Sequence, residues 1–146
     1  TISFKRINPI KYSVEVNGAT GPFTLIFSDQ FHKDWKLYVS KQSPQKTAVQ
    51  QSYFNGNVKE YTHENVFLDS RTFETLGMKS IPEGRHFMIN GYANAWLINP
   101  EDALGASNYE IIIEMTQQRL FYYGLSISAV SLLIFLLYGI HLLRKS

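Results

Sequence analysis

The chain contains no cysteine. Disulfides and thiolate metal sites are therefore excluded, and an exported domain of this sequence must be held together by its apolar core. A basic stripe is missing too. The formal net charge of +2 includes Arg119, Arg144 and Lys145, which flank one apolar run, so residues 1–118 carry about −1. Phosphate binding has no footprint in such a balance, and nucleic acid is not an expected partner. No Gly-x-Ser-x-Gly elbow, Walker loop or dinucleotide-binding glycine pattern occurs. His32, His63, His86 and His141 are scattered at spacings that match no zinc motif. Glu101 and Asp102 follow Pro100 directly, which suits a turn or helix start better than a carboxylate dyad. Neither metal, cofactor nor catalytic residue is expected within this chain. Asn-x-Ser/Thr sequons are also absent, which favours a bacterial or archaeal source over a eukaryotic secretory one.

What is present in quantity is apolar sequence at one end. Leu120–Leu143 is a run of 24 residues followed by Arg144, Lys145 and Ser146. As a helix it reaches about 36 Å, enough to cross a hydrocarbon core of about 30 Å with some tilt. Its only ionisable side chain other than tyrosine is His141, near the last turn. The expected organisation is a domain over residues 1–118 and a membrane helix with a short basic tail over 119–146. Two positive charges follow the span and one precedes it, so the positive-inside rule places the C-terminus in the cytoplasm and the domain outside. Gly124, Ser128 and Ser131 share a helix face at a spacing that lets membrane helices approach closely. Membrane lipid and other membrane helices of the same protein are the expected partners of this segment. Thr1 opens the chain without an initiator Met or export signal, so a C-terminal piece of something longer is expected.

The preceding residues read as strands. Tyr12, Val14 and Val16 alternate with Lys11, Ser13 and Glu15; Phe23, Leu25 and Phe27 share a face; Trp35, Leu37 and Val39 alternate with Lys36 and Tyr38. The turn cluster Asn17–Gly21 predicts a hairpin between the first two of these strands, and Ser28–Asp34 predicts a connecting loop. After Ser40 the pattern fades into a polar stretch that reads as a surface loop, with a short strand at Val66–Leu68 and one or two helical turns over Ser70–Ser80, capped by Ser70 and stopped at Gly77. Periodicity returns in two short runs, Phe87–Ile89 and Ala95–Ile98, and Asn99-Pro100 marks a turn. Tyr109, Ile111, Ile113 and Met115 then line one face of a last strand that leads through Gln117–Arg119 into the span. Short strands with frequent turns predict a mainly β chain: an antiparallel, jelly-roll-like β-sandwich followed by one C-terminal transmembrane α-helix, with an Ig-like sandwich as the alternative.

Aromatic residues are frequent beside the best-defined strands. Tyr92, Trp35 and Trp96, with His32, Asp34, Asn90 and Asn94 near them, are candidate glycan contacts, because sugar sites join apolar faces to a few polar groups. The competing reading puts both tryptophans in the core and gives the asparagines to turns.

Residues Ile7–Val39, with Asn8, Pro9, Tyr12, Ser28, Phe31, Trp35 and Lys36 at its marker positions, resemble the C-terminal region of large polytopic bacterial membrane proteins of the GT-C glycosyltransferase superfamily. His86–Ile98 and Tyr109–Ser128 are similar to the closing strands and last membrane helix of such proteins, including YfhO-type and arabinofuranosyltransferase-like members. The resemblance skips roughly 40–84 and departs at three places: Ile10 stands where Thr is usual, Asp29 where Glu is usual, and Lys33-Asp34 where Pro-Gly is frequent. It implies an accessory region on the outer face of the plasma membrane, shaping access for a glycan acceptor, in an enzyme that transfers sugar from a lipid-linked donor in cell-envelope polysaccharide or glycoprotein synthesis. The acidic catalytic residues of that superfamily lie in an early loop that this chain does not contain, so none is carried over. The alternatives are a membrane-anchored, non-catalytic surface module that binds polysaccharide or protein, and a small subunit that stabilises a membrane complex.

Overall fold

A computed structural model describes residues 1–40 and 71–145. The polar stretch after Ser40, the Val66–Leu68 triplet and the Ser70 cap lie outside the described residues. The chain forms β1 (Ile2–Asn8), β2 (Lys11–Val16), β3 (Phe23–Gln30), β4 (Trp35–Ser40), β5 (His86–Ile89), β6 (Ala93–Ile98), β7 (Tyr109–Met115) and α1 (Gln117–Lys145), with 3-10 turns at Glu83–Arg85 and Pro100–Ala103.

The strands make two antiparallel sheets, ordered β1-β2-β7-β4 and β3-β6-β5. From β2 to β5 the chain changes sheet at every step. β6 then returns between β3 and β5, and β7 between β2 and β4. This is the wrapping of a jelly roll. The expected hairpin between β2 and β3 is therefore not formed. The Asn17–Gly21 turn carries the chain across layers instead, and it is tied down there by Gly18 N–H to Asn108 Oδ1 (2.8 Å) and Ala19 N–H to Ser107 O (2.9 Å). β1 and β2 form the actual hairpin, closed by Asn8 Oδ1 accepting the Ile10 N–H at 3.0 Å.

The core lies between the layers. Val14, Val16, Leu37, Tyr109, Ile111 and Ile113 of the larger sheet meet Leu25, Trp96 and Ile98 of the smaller one, with Trp35 closing one end. These are the period-2 faces of their strands, so burial follows from alternation once a second sheet covers them. Trp35 packs edge-on against Phe27, with ring centroids 4.9 Å apart.

Residues 71–77 form successive tight turns rather than a helix, with Leu76 N–H to Phe73 O (3.0 Å) and Met78 N–H to Thr75 O (3.1 Å). Gly77 ends them at φ 85°, a conformation only glycine adopts without strain. The chain divides into two compact units, Thr1–Met115 and the part from Thr116 onward. Gln117–Arg119 are the first turn of α1 rather than a connector, because none of the three interrupts helical hydrogen bonding and Arg119 N–H already bonds Thr116 O at 3.0 Å. α1 is long and apolar enough to cross a membrane by length and composition.

Candidate functional site

The densest polar arrangement in the smaller sheet is built around Asn94, which is fully buried on β6. Its amide nitrogen donates to Asp29 O (2.9 Å) and Gln30 O (3.2 Å), and its Oδ1 accepts the His32 N–H (3.2 Å). Those three contacts orient the amide. His86 Nε2, 3.0 Å from the same Oδ1, must therefore be the donor, which leaves Nδ1 as the acceptor nitrogen of the neutral ring. The imidazole lies flat on the Trp96 indole, 4.5 Å between centroids and 8° between planes, with Phe31 at 5.0 Å. Burial pushes the His86 pKa below its ordinary value, the Asn94 bond pulls it partly back, and the Lys36 charge adds to the depression.

Asn94 also explains why β3 runs past the expected loop start at Ser28. The β3–β6 register shifts between Phe27 and Gln30, and the amide side chain takes up the carbonyls of the shifted residues. The remaining loop is held by Phe31 N–H to Tyr92 O (2.6 Å), Trp35 N–H to His32 O (3.1 Å) and Asp34 N–H to His32 Nδ1 (3.2 Å).

His32, Asp34, Tyr92, Asn94 and Trp96 thus meet around the β3–β4 loop and the β5–β6 turn, but unequally. Trp35 is 3 % exposed and Trp96 1 %, so neither presents an open ring face, whereas Tyr92 is 53 % exposed. His32 and Asp34 are part-exposed. Asn90 is exposed and serves the turn: it and Gly91 take φ of 56° and 77°, with Tyr92 N–H donating to Ile89 O at 3.2 Å. His86 and Phe31 complete the cluster, although spacing alone did not mark His86 as part of a site. The signal was the Asn90-Gly91 dipeptide, which sets a hairpin and thereby brings His86 opposite Trp96.

A second polar cluster lies on the outer face of the larger sheet. Lys11 is only 2 % exposed; its Nζ lies 3.1 Å from Glu74 Oε1 and 3.9 Å from Glu114 Oε2, and it donates to Arg71 O. Arg71 bonds Glu74 (2.8 Å) and Glu110 (2.6 Å), while Ser13 donates to Glu110 and Thr75 to Glu114. These bonds hold the 71–77 turns against β2 and β7. Asp102 pairs bidentately with Arg85 (2.7 Å for both bonds) and accepts the Asn99 N–H at 2.8 Å. The Arg85 hydrogen bonds hold the Asp102 carboxyl below its usual pKa range. Glu101 and Asp102 therefore belong to a turn start. Among the described residues, no group of three or more His, Asp or Glu side chains is arranged to hold a metal ion.

On α1, Ser126 and Ser131 donate to the carbonyls of Tyr122 and Ile127, each at 2.8 Å. Their hydroxyls are satisfied within the helix, which suits an apolar surrounding. Gly124, Ser128 and Ser131 lie on one exposed face. No family model, curated protein or solved structure matches the chain.

Proposed function

We propose that the chain is a membrane-attached module of a bacterial cell envelope. α1 spans the plasma membrane, the sandwich stands on its outer side, and Arg144-Lys145 lie in the cytoplasm. In line with the likeness of both chain ends to GT-C proteins, it serves as the C-terminal accessory region of an integral membrane glycosyltransferase. There it sits beside a glycan acceptor while sugar is transferred from a lipid-linked donor elsewhere in the polypeptide. The observation that carries this reading is the passage of β7, an interior strand, through the single residue Thr116 into a 29-residue helix with no acidic side chain and a basic last turn. Contact with glycan falls to the accessible groups Tyr92, His32 and Asp34, supported from beneath by Trp35, Trp96 and Asn94. The Gly124, Ser128 and Ser131 face docks other membrane helices.

The natural absence of cysteine makes a direct test available. In intact cells, a membrane-impermeant maleimide is expected to label an Asn90→Cys variant at once and a Lys145→Cys variant only after lysis. The reverse pattern overturns the orientation, and release of the chain into the soluble fraction by alkaline carbonate overturns the membrane reading. Retention of the nanodisc-embedded chain by bacterial cell-envelope polysaccharide, lost in Tyr92→Ala, tests the accessory role.

A further inference from the structure

β7 leaves the sandwich between two loops. Its last residue, Met115, pairs with Trp35 at the start of β4 and donates its N–H to Ile10 O at 2.9 Å. The β1–β2 turn around Pro9 therefore flanks this exit on one side. The β3–β4 loop of residues 31–34, which runs straight into Trp35, flanks it on the other. Residues 17–21 and 106–108 close the opposite end, where Val16 faces Tyr109 and Gly18 N–H bonds Asn108 Oδ1. Only residues 116–119 separate Met115 from the apolar run that begins at Leu120, and all but the first of them are helical. At a rise of about 1.5 Å per residue, Met115 stands about 8 Å from Leu120 along the chain axis. One headgroup layer is about 5–8 Å deep, since a core of about 30 Å sits in a bilayer of about 40–45 Å. Tilting, by which an apolar run longer than the core is accommodated, shortens the distance further. The limit holds at any angle of the chain at Thr116, because Ile10 and Trp35 neighbour Met115 itself.

We infer that this end of the sandwich rests on phospholipid headgroups, with Pro9 and Lys33 as its foremost contacts. The inference rests on α1 spanning the membrane, as proposed above. Pro9 and Lys33 are the exposed residues of the two flanking loops. Lys33 carries its ammonium on a flexible stem, which suits a lipid phosphate oxygen. Pro9 brings no backbone N–H that would need a partner at the ester level. Asp34 stands next to Lys33, so the loop is of mixed charge and gains little from a purely anionic surface. Its partner is therefore the zwitterionic headgroup, which offers phosphate and ammonium together.

The test uses the full chain, whose lack of cysteine allows one label at a time. Pro9→Cys, Lys33→Cys, Thr20→Cys, Ser107→Cys and Leu125→Cys variants are labelled with a nitrobenzoxadiazole fluorophore and placed in phosphatidylcholine nanodiscs. Lipid bearing a nitroxide on its headgroup should dim the labels at Pro9 and Lys33 several-fold more than those at Thr20 and Ser107, which lie about 20 Å away along the strands. Lipid bearing a nitroxide deep in its acyl chains should dim the Leu125 label most. The four sandwich positions are exposed, and matching urea midpoints will show that the labelled chains fold; if Pro9→Cys does not, Lys33→Cys carries the test. Equal dimming at the two ends, or stronger dimming at Thr20 and Ser107, overturns the inference while a dimmed Leu125 label upholds the span. An undimmed Leu125 label overturns both.

Discussion

Ile111 and Ile134 are the same side chain in two surroundings. Ile111, on β7, has no exposed surface; Ile134, on α1, is 62 % exposed. The strand alternates Tyr109, Ile111 and Ile113 with Glu110, Ile112 and Glu114; the second sheet covers the first face and the 71–77 turns cover much of the other, where Ile112 is 1 % exposed. Between Leu120 and Leu137 the helix has no charged face at all. A helix that is apolar all round needs an apolar surrounding on every side rather than a partner on one. Equal hydrophobicity therefore leads to a core in one region and to an exposed apolar surface in the other, and the pattern of the polar residues makes the difference.

The comparison is broken most severely by deleting bulk. Trp96→Ala leaves a cavity in the sandwich and unstacks His86; urea unfolding followed by Trp35 fluorescence should show a loss of about 3–5 kcal/mol. Leu132→Ala on α1 should leave that midpoint where it is. An unchanged Trp96→Ala midpoint would mean that the two sheets do not share one core. Lys11→Met acts on the polar side of the same sheet. Removing a buried ammonium takes the lysine cation from Glu74 and Glu114, which keep Arg71 and Thr75, at a cost of about 3 kcal/mol, and hydrogen exchange should quicken over 71–77 before the rest of the domain. Uniform loss across all strands would show that the cluster does not fasten those turns.

The smallest expected effect is on pH. Folding lowers the His86 pKa, so the folded state binds fewer protons than the unfolded one. The stabilising contribution is complete above the unfolded value of about 6.5 and is lost as pH falls below it. The urea midpoint of the sandwich should decline gently on that descent, and His86→Gln should flatten the slope. A midpoint that rises as pH falls would contradict the burial of a neutral ring. Asp102 contributes in the same direction at lower pH, since its pKa is also depressed by folding.

Much of this architecture was legible beforehand. The faces formed by Tyr12, Val14 and Val16, by Phe23, Leu25 and Phe27, and by Tyr109–Met115 are those of the structure, because alternation is a property of an extended backbone. The Asn17–Gly21 turn was legible as a turn but not as a crossing between layers, since a turn cluster reports a change of direction and not the next hydrogen-bonded neighbour. Lys11 and Glu114 lie opposite the apolar faces of their strands and are buried nonetheless, because what covers them is the distant 71–77 segment. In the candidate site, Tyr92 and His32 are accessible groups and Asn94 is a satisfied clasp. Residue type alone does not separate those roles; the carbonyls of Asp29 and Gln30 do.

Residue spacing by itself determined which side chains share a face and where the uninterrupted apolar helix runs, because both follow from backbone geometry within a few residues. Tertiary structure alone decided that β2 lies beside β7 rather than β3, that His86 meets Asn94, and that β1 turns back on β2. Those outcomes depend on contacts such as Ser13 with Glu110, 97 positions apart, and each is settled by competition for burial and hydrogen bonds across the whole folded domain.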